Sequence, residues 1–150
     1  LIPAAREFAD HYTGRSLVVR TLEMALRCFP EYHIDLDASP VTSVVSIKYT
    51  DMAGNEQTVP DTDYTLSPYG EARRISLGYL KQWPVTQDTP NAVRIQYVAG
   101  FAALPAAARS AMLLLIGHLY QNRQDVSATK LTEVPMGAIA LLNTIKAWGK

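Results

Sequence analysis

The chain is poor in the residue types from which reactive sites are made. Cysteine occurs once, as Cys28, and histidine only as His11, His33 and His118. A single cysteine forms no intrachain disulfide, so a reducing compartment is the default expectation. Nor can Cys28 complete a zinc site, because no two histidines lie at metal-ligand spacing. Charge is sparse and balanced, with 14 Lys and Arg against 14 Asp and Glu, together 19% of the chain. A dedicated nucleic-acid binder normally carries a basic excess to neutralise phosphates, so the balance argues against that class without excluding a basic patch. The longest apolar run, from Ala111 to Gly117, is far short of the roughly 20 residues of a membrane span. No leader-peptide pattern is visible. An initiator Met is also absent: the chain opens Leu1-Ile-Pro-Ala-Ala-Arg6, already in a helical pattern, and part of the N-terminal region is expected to be missing.

What is present packs. Hydrophobic residues make up 48% of 150 residues, enough for one domain with a real core. Pro3 to Tyr12 reads as a helix with Ala5, Phe8, Ala9 and Tyr12 on one face, stopped by Thr13-Gly14. From Ser16 the period changes to two. Leu22, Met24, Leu26 and Cys28 alternate with more polar positions, as in a strand with one buried face ending before Pro30. Further short strands are expected at Ile34–Leu36, Val41–Tyr49 (Val45, Ile47 and Tyr49 on one side), Glu56–Val59, Tyr64–Leu66, Arg74–Leu77 and Val93–Val98. Asp51 to Asn55 is the turn between two of them. Their spacing suggests a compact antiparallel sheet or small barrel.

A strong helix then opens at Pro105, where the missing N–H is harmless. Ala108, Ala111, Met112, Leu115 and Leu119 form its stripe, widened by Leu114 and Ile116. Gln121 to Glu133 is polar and reads as a loop that a partner could order. Pro135 opens a last helix with a stripe of Ala138, Leu141, Leu142, Ile145 and Trp148. The order predicts an α+β fold: a small bundle of about three helices with an inserted antiparallel β block. The expected segments are a helix over 1–14, a β-rich module over 16–100, a long helix over 105–123 and a C-terminal helix over 135–148, all in one domain.

Catalytic chemistry finds little support. His118, between Gly117 and Leu119, reads as a structural histidine, and His11 near a helix C-terminus is favoured there as a cation. Cys28, placed in the alternation, reads as a small core hydrophobe rather than a reactive thiol. Asp61 and Asp63 in Pro60-Asp-Thr-Asp63 read as turn chemistry, and no nucleophile elbow or phosphate-cradling glycine loop is present. A hydrolase would need a cleft joining His33 or His118 to an acid and a nucleophile. For nucleic acid, Arg73, Arg74, Arg94, Arg109 and Arg123 make a stripe only if the fold aligns them. Gln121-Asn-Arg-Gln124 has base-reading side-chain types, but a solvated surface is the simpler reading.

An ordered set of short motifs runs through nearly the whole chain. A helix ends in Tyr12-Thr-Gly-Arg15, followed by Leu17 and a strand closing at Phe29-Pro30. Then come Pro40-Val-Thr-Ser-Val44, the strand from Val45 to Tyr49 with its Asp51/Gly54 turn, Trp83-Pro84, Asn91-Ala-Val93 and Val98-Ala-Gly-Phe101. Last is the helix with the aliphatic run Ala111 to Ile116, Gly117-His118 and Tyr120-Gln-Asn-Arg123. In this the chain resembles the head–tail connector (adaptor) proteins of long-tailed bacteriophages, prophages and gene transfer agents. It departs from them in lacking the first part of the N-terminal helical region. The segment Val126–Glu133 varies widely among such proteins, so nothing is transferred there position by position.

The resemblance implies a non-enzymatic structural role without cofactor or metal. The expected partners are a portal protein, a tail-completion (head-closure) protein and further copies of the chain in a ring, a dodecamer when assembled. Such a ring extends the DNA channel beneath the portal, and DNA passes through it without specific binding. The expected place is the head–tail interface of the virion, with assembly in the host bacterial cytoplasm and no membrane involved. The stretches 121–133 and 146–150 are expected to face partners because they are polar beside a strong helix. Candidate interface residues are Arg109, Arg123, Asp125, Lys130, Glu133, Lys146 and Trp148. The alternative reading is a small DNA-binding module involved in phage DNA packaging.

Overall fold

A computed structural model describes residues 1–67, 74–121 and 135–147. The chain divides into two compact units. One is helical and takes both ends of the sequence, Leu1–Val18 with Phe101–Lys150; the other, Val19–Gly100, is the β block inserted between them.

The helical unit contains α1 (Ile2–Thr13), α2 (Ala106–Gln121) and α3 (Met136–Asn143). Proline stands at the start of α1, and the helix stops at Gly14, whose φ of 64° is the left-handed C-cap. The core is built from alanines: Ala5, Ala9, Ala108, Ala111 and Ala138 are at most 1% exposed, with Leu17, Leu115 and Leu142 between them. Side chains this small let three helices approach closely, and the leucines fill what remains. Of the stripe expected on α2, Ala108, Ala111 and Leu115 are buried and Met112 and Ile116 pack at its margin. Leu114 and Leu119 do not join it: they are 47% and 39% exposed. The last helix is shorter than its apolar stripe suggests. The Thr144 hydroxyl donates to the Leu141 carbonyl at 2.7 Å, a local bond that competes with the helical one. The chain then leaves the helical path, and the Ala147 N–H donates to the Thr13 carbonyl at 2.8 Å. Ile145 still packs on the core.

The β unit holds β1 (Arg20–Leu26), β2 (His33–Asp35), β3 (Val41–Thr50), β4 (Glu56–Thr58), β5 (Tyr64–Leu66), β6 (Arg74–Leu77) and β7 (Val93–Ala99), with a 3-10 turn at Asp61–Asp63. All described pairings are antiparallel. They form a four-stranded sheet in the order β1-β7-β3-β4 and a three-stranded sheet in the order β2-β6-β5. Strand β7 is central, and its Val93, Ile95, Tyr97 and Ala99 are all buried. The register lines up Met24, Ile95 and Ile47 across the larger sheet, and Ile34, Ile75 and Leu66 across the smaller one. Both rows belong to one core. Burial of Tyr97 and Tyr64 pushes both phenols above their ordinary pKa, because the phenolate is the form that loses hydration.

Two readings of the β block are corrected. Pairing of β3 with β7 shifts between Val41 and Ser43 and between Val44 and Ser46. Val45 is the extra residue of the second bulge and is 53% exposed, so the Val45–Ile47–Tyr49 alternation fails at its first member. Cys28 is exposed rather than a core residue. Strand β1 ends at Leu26, so the alternation that would have buried the thiol stops before reaching it.

Candidate functional site

The first motif of the connector resemblance has a clear physical task. Tyr12-Thr-Gly-Arg15 closes the helical unit by holding the segment that follows α3. The Tyr12 hydroxyl donates to Asn143 Oδ1 at 3.0 Å, and the Thr13 carbonyl takes the Ala147 N–H. Gly14 supplies the left-handed turn. Arg15 Nε donates to the Ile145 carbonyl, two residues past the end of α3. Asp10 Oδ1 accepts from the Leu17 N–H at 2.9 Å, which fixes the chain as it leaves α1. Two cations complete the joint: Lys146 Nζ lies 4.8 Å from the Tyr12 ring centroid and Arg15 Cζ 5.7 Å from that of Phe101.

Of the residues expected at a partner interface, Arg109 is exposed on α2 and Lys146 is half-buried over Tyr12. Arg123, Asp125, Lys130, Glu133 and Trp148 lie outside the described residues, as does Arg73 of the basic stripe. The surface of α2 itself shows what the sequence reading missed. Leu113 and Tyr120 are each 61% exposed on the flank that Arg109 begins. Gly117 adds no side chain there, and a Cβ on it would meet nothing within 4 Å. Leu114 opens a second flank, continued by Met136 at the start of α3, which is 82% exposed. The available signal was the run Leu113-Leu114-Ile116, too broad for one buried stripe; an apolar helix surface this wide calls for more than one packing partner.

The charges of the β unit are largely spent on one another. Lys48 and Arg94 sit opposite each other across β3 and β7. Glu56 lies between them, taking Lys48 Nζ at 2.8 Å and the Arg94 guanidinium. The hydrogen bond from Lys48 is the main cause holding the Glu56 carboxyl below its ordinary pKa. Arg27 makes a two-pronged contact with Asp88, at 2.5 and 2.8 Å, which lowers the carboxyl and raises the guanidinium. Lys81 pairs with Asp63 at 2.6 Å, and Arg74 with Asp35 at 2.8 Å. Of the supposed stripe, Arg74 is thus paired with Asp35, while Arg94 shares the single charge of Glu56 with Lys48.

The hydrolase reading reaches only a partial constellation. His33 stands opposite Ser76 across β2 and β6, and its Nε2 is 3.4 Å from Asp35 Oδ2. Asp35 also takes Arg74, and no hydrogen bond joins Ser76 to His33 among the described residues. An open groove of about 650 Å3 runs past Ser76, Cys28, Tyr32, Lys81 and a stacked Phe29–Trp83 pair whose ring centroids are 4.8 Å apart. Among the described residues no group of His, Cys, Asp and Glu is placed to hold a metal ion. Among them, too, no helix is long and apolar enough to cross a membrane.

No protein-family model matches the chain, and no curated protein does. Solved structures do. The chain is similar to a component of the neck of a native gene transfer agent particle with C12 symmetry, at 27% identity and a TM-score of 0.80, covering 99% of this chain and 81% of that one. It is likewise similar to a component of the neck of an empty particle with C6 symmetry, at 28% identity and 0.78, covering 99% and 77%. A chain of the native gene transfer agent virion matches at 26% identity and 0.77, covering 99% and 76%. The resemblance to head–tail connectors read from the motifs is thus met by neck structures over nearly the whole chain.

Proposed function

We propose that this chain is a structural subunit of the neck of a phage-like particle: a head–tail connector that assembles as a ring beneath the portal, extends the DNA channel and receives the tail-completion protein. The observation that carries this is the likeness over 99% of the chain, at a TM-score of 0.80, to a neck component in a C12-symmetric assembly. The spent charges of the β unit fit such a wall, since a channel that bound phosphate tightly would retard the genome. The clamp at Tyr12–Arg15 fits it too, because a subunit repeated around a ring needs a fixed outline. The subunit acts in the virion and is assembled in the bacterial cytoplasm. Arg109 and Lys146, with Arg123, Asp125, Lys130, Glu133 and Trp148 beyond the described residues, belong to its contacts with neighbouring subunits, portal or tail.

Native mass spectrometry of the protein over a concentration series, alone and with its cognate portal, tests the reading. The expected result is a closed ring, alone or on the portal, with a mass that gives the symmetry. A monomer that ignores the portal overturns it.

A further inference from the structure

The helical unit carries two apolar surfaces that its own core does not use, and both begin on α2. On one flank Arg109, Leu113 and Tyr120 follow the i, i+4, i+11 spacing of a single helix face, with Leu113 and Tyr120 each 61% exposed. Ile116, at i+7, completes that face from the edge of the core. Gly117 lies beside it with open space where a side chain would stand, so another backbone could approach closely. The second flank is Leu114, 47% exposed, and Met136, 82% exposed. The two are neighbours: a Cβ on Gly137, next to Met136, would lie 3.8 Å from Leu114 Cδ1. Leu113 and Leu114 point about 100° apart around the helix, so the two flanks look in different directions.

Two different sticky surfaces on one subunit are what a ring requires. A cyclic assembly is held by one heterologous contact repeated at every step, in which patch A of one copy meets patch B of the next. The C12 symmetry of the similar neck assembly is of this kind. We propose that the ring contact joins these flanks: the Arg109–Leu113–Tyr120 face of one copy seats against the Leu114–Met136 face of its neighbour. The inference rests on the connector reading and names the surface through which that ring closes.

The test uses two single substitutions that each spoil one flank, Leu113→Glu and Met136→Glu. Both sites are well exposed, so neither change is expected to shift the thermal midpoint of the monomer. Wild type is brought to its ring by concentration, or on its portal where concentration alone leaves it monomeric, and sized by native mass spectrometry. Each variant alone is expected to lose all species above the monomer. Mixed in equal amounts, the two are expected to give a one-to-one dimer and nothing larger, because the intact Leu114–Met136 flank of the first meets the intact Leu113 flank of the second. A folding defect cannot produce that rescue. Rings from both variants, with wild type also in rings, would overturn the flank assignment and leave the connector reading standing. Variants that form rings but no longer dock on the portal would transfer the flanks to the portal and equally overturn it. A lowered melting midpoint with no dimer on mixing would show that the flanks are covered within the chain. Wild type that stays monomeric under both conditions overturns the connector reading itself.

Discussion

At the scale of single residues, the clamp after α1 makes the sharpest claims. Gly14 holds φ at 64°, where a side chain is strained, while a Cβ there would stand an ordinary 3.9 Å from Ala147 Cβ. The cost of Gly14→Ala therefore comes from the backbone, about 1–2 kcal/mol, read as a lower urea midpoint. Tyr12→Phe removes only the hydroxyl on Asn143 and is expected to lose about 0.5–1.5 kcal/mol in the same measurement. Carboxylates set the acid response. Asp51 accepts N–H bonds from Ala53 and Asn55 at 2.9 Å each and from the Gln57 amide at 3.2 Å. These bonds, Asn55 foremost, hold it below its ordinary 3.8; Asp88 is held below 3.8 and Glu56 below 4.5 by their cations. A carboxyl depressed in the folded state gives stability that is complete above its ordinary value and is lost as pH falls through the lower folded one. The urea midpoint should hold level above pH 4.5 and fall below it, and Asp51→Asn should flatten part of that fall.

At the scale of elements, the core of each unit was legible to different depths. Strand β7 was plain because its period of two never breaks, and Ile95, fully buried at the centre of a row, is where truncation should hurt most. Ile95→Ala is expected to cost about 2–5 kcal/mol, whereas Val45→Ala, out on its bulge, should change stability by less than about 0.5 kcal/mol. Chemical denaturation of both variants checks the contrast. Val45 misled because a bulge shifts every later residue by one place, and nothing local to β3 announces it: the bulge is a property of the pairing with β7. Cys28 misled for a related reason, since an alternating pattern does not say where its strand stops. Helix α2 erred in the opposite direction. Its buried stripe is narrower than its apolar pattern, because sequence cannot separate the apolar residues that meet α1 and α3 from those left outside. Fully buried Ala111, where close packing leaves no room for a larger side chain, should lose about 1–3 kcal/mol on replacement by Leu.

At the scale of the whole molecule, charge decides between a channel wall and a nucleic-acid binder. With Arg27, Arg74 and Lys81 each paired with a carboxylate and Lys48 and Arg94 sharing Glu56, duplex DNA should bind weakly and with a shallow dependence on salt. Glu56→Gln, which frees Lys48 and Arg94, should raise that affinity and steepen the dependence; fluorescence anisotropy across a salt series measures both. A steep dependence in the wild type would favour the DNA-binding module instead. The α+β class, the order of helices and strands, the stop at Gly14 and the motifs that resemble a connector are legible in the residues alone, because caps, turns and periodicities are written locally. Which cations are paired, where the bulges fall, why Tyr12–Arg15 matters and which residues of α2 stand exposed came only with the folded chain. Each of those depends on residues far apart in the chain being brought together, as Tyr12 is with Asn143 or Arg27 with Asp88, and no local pattern carries that information.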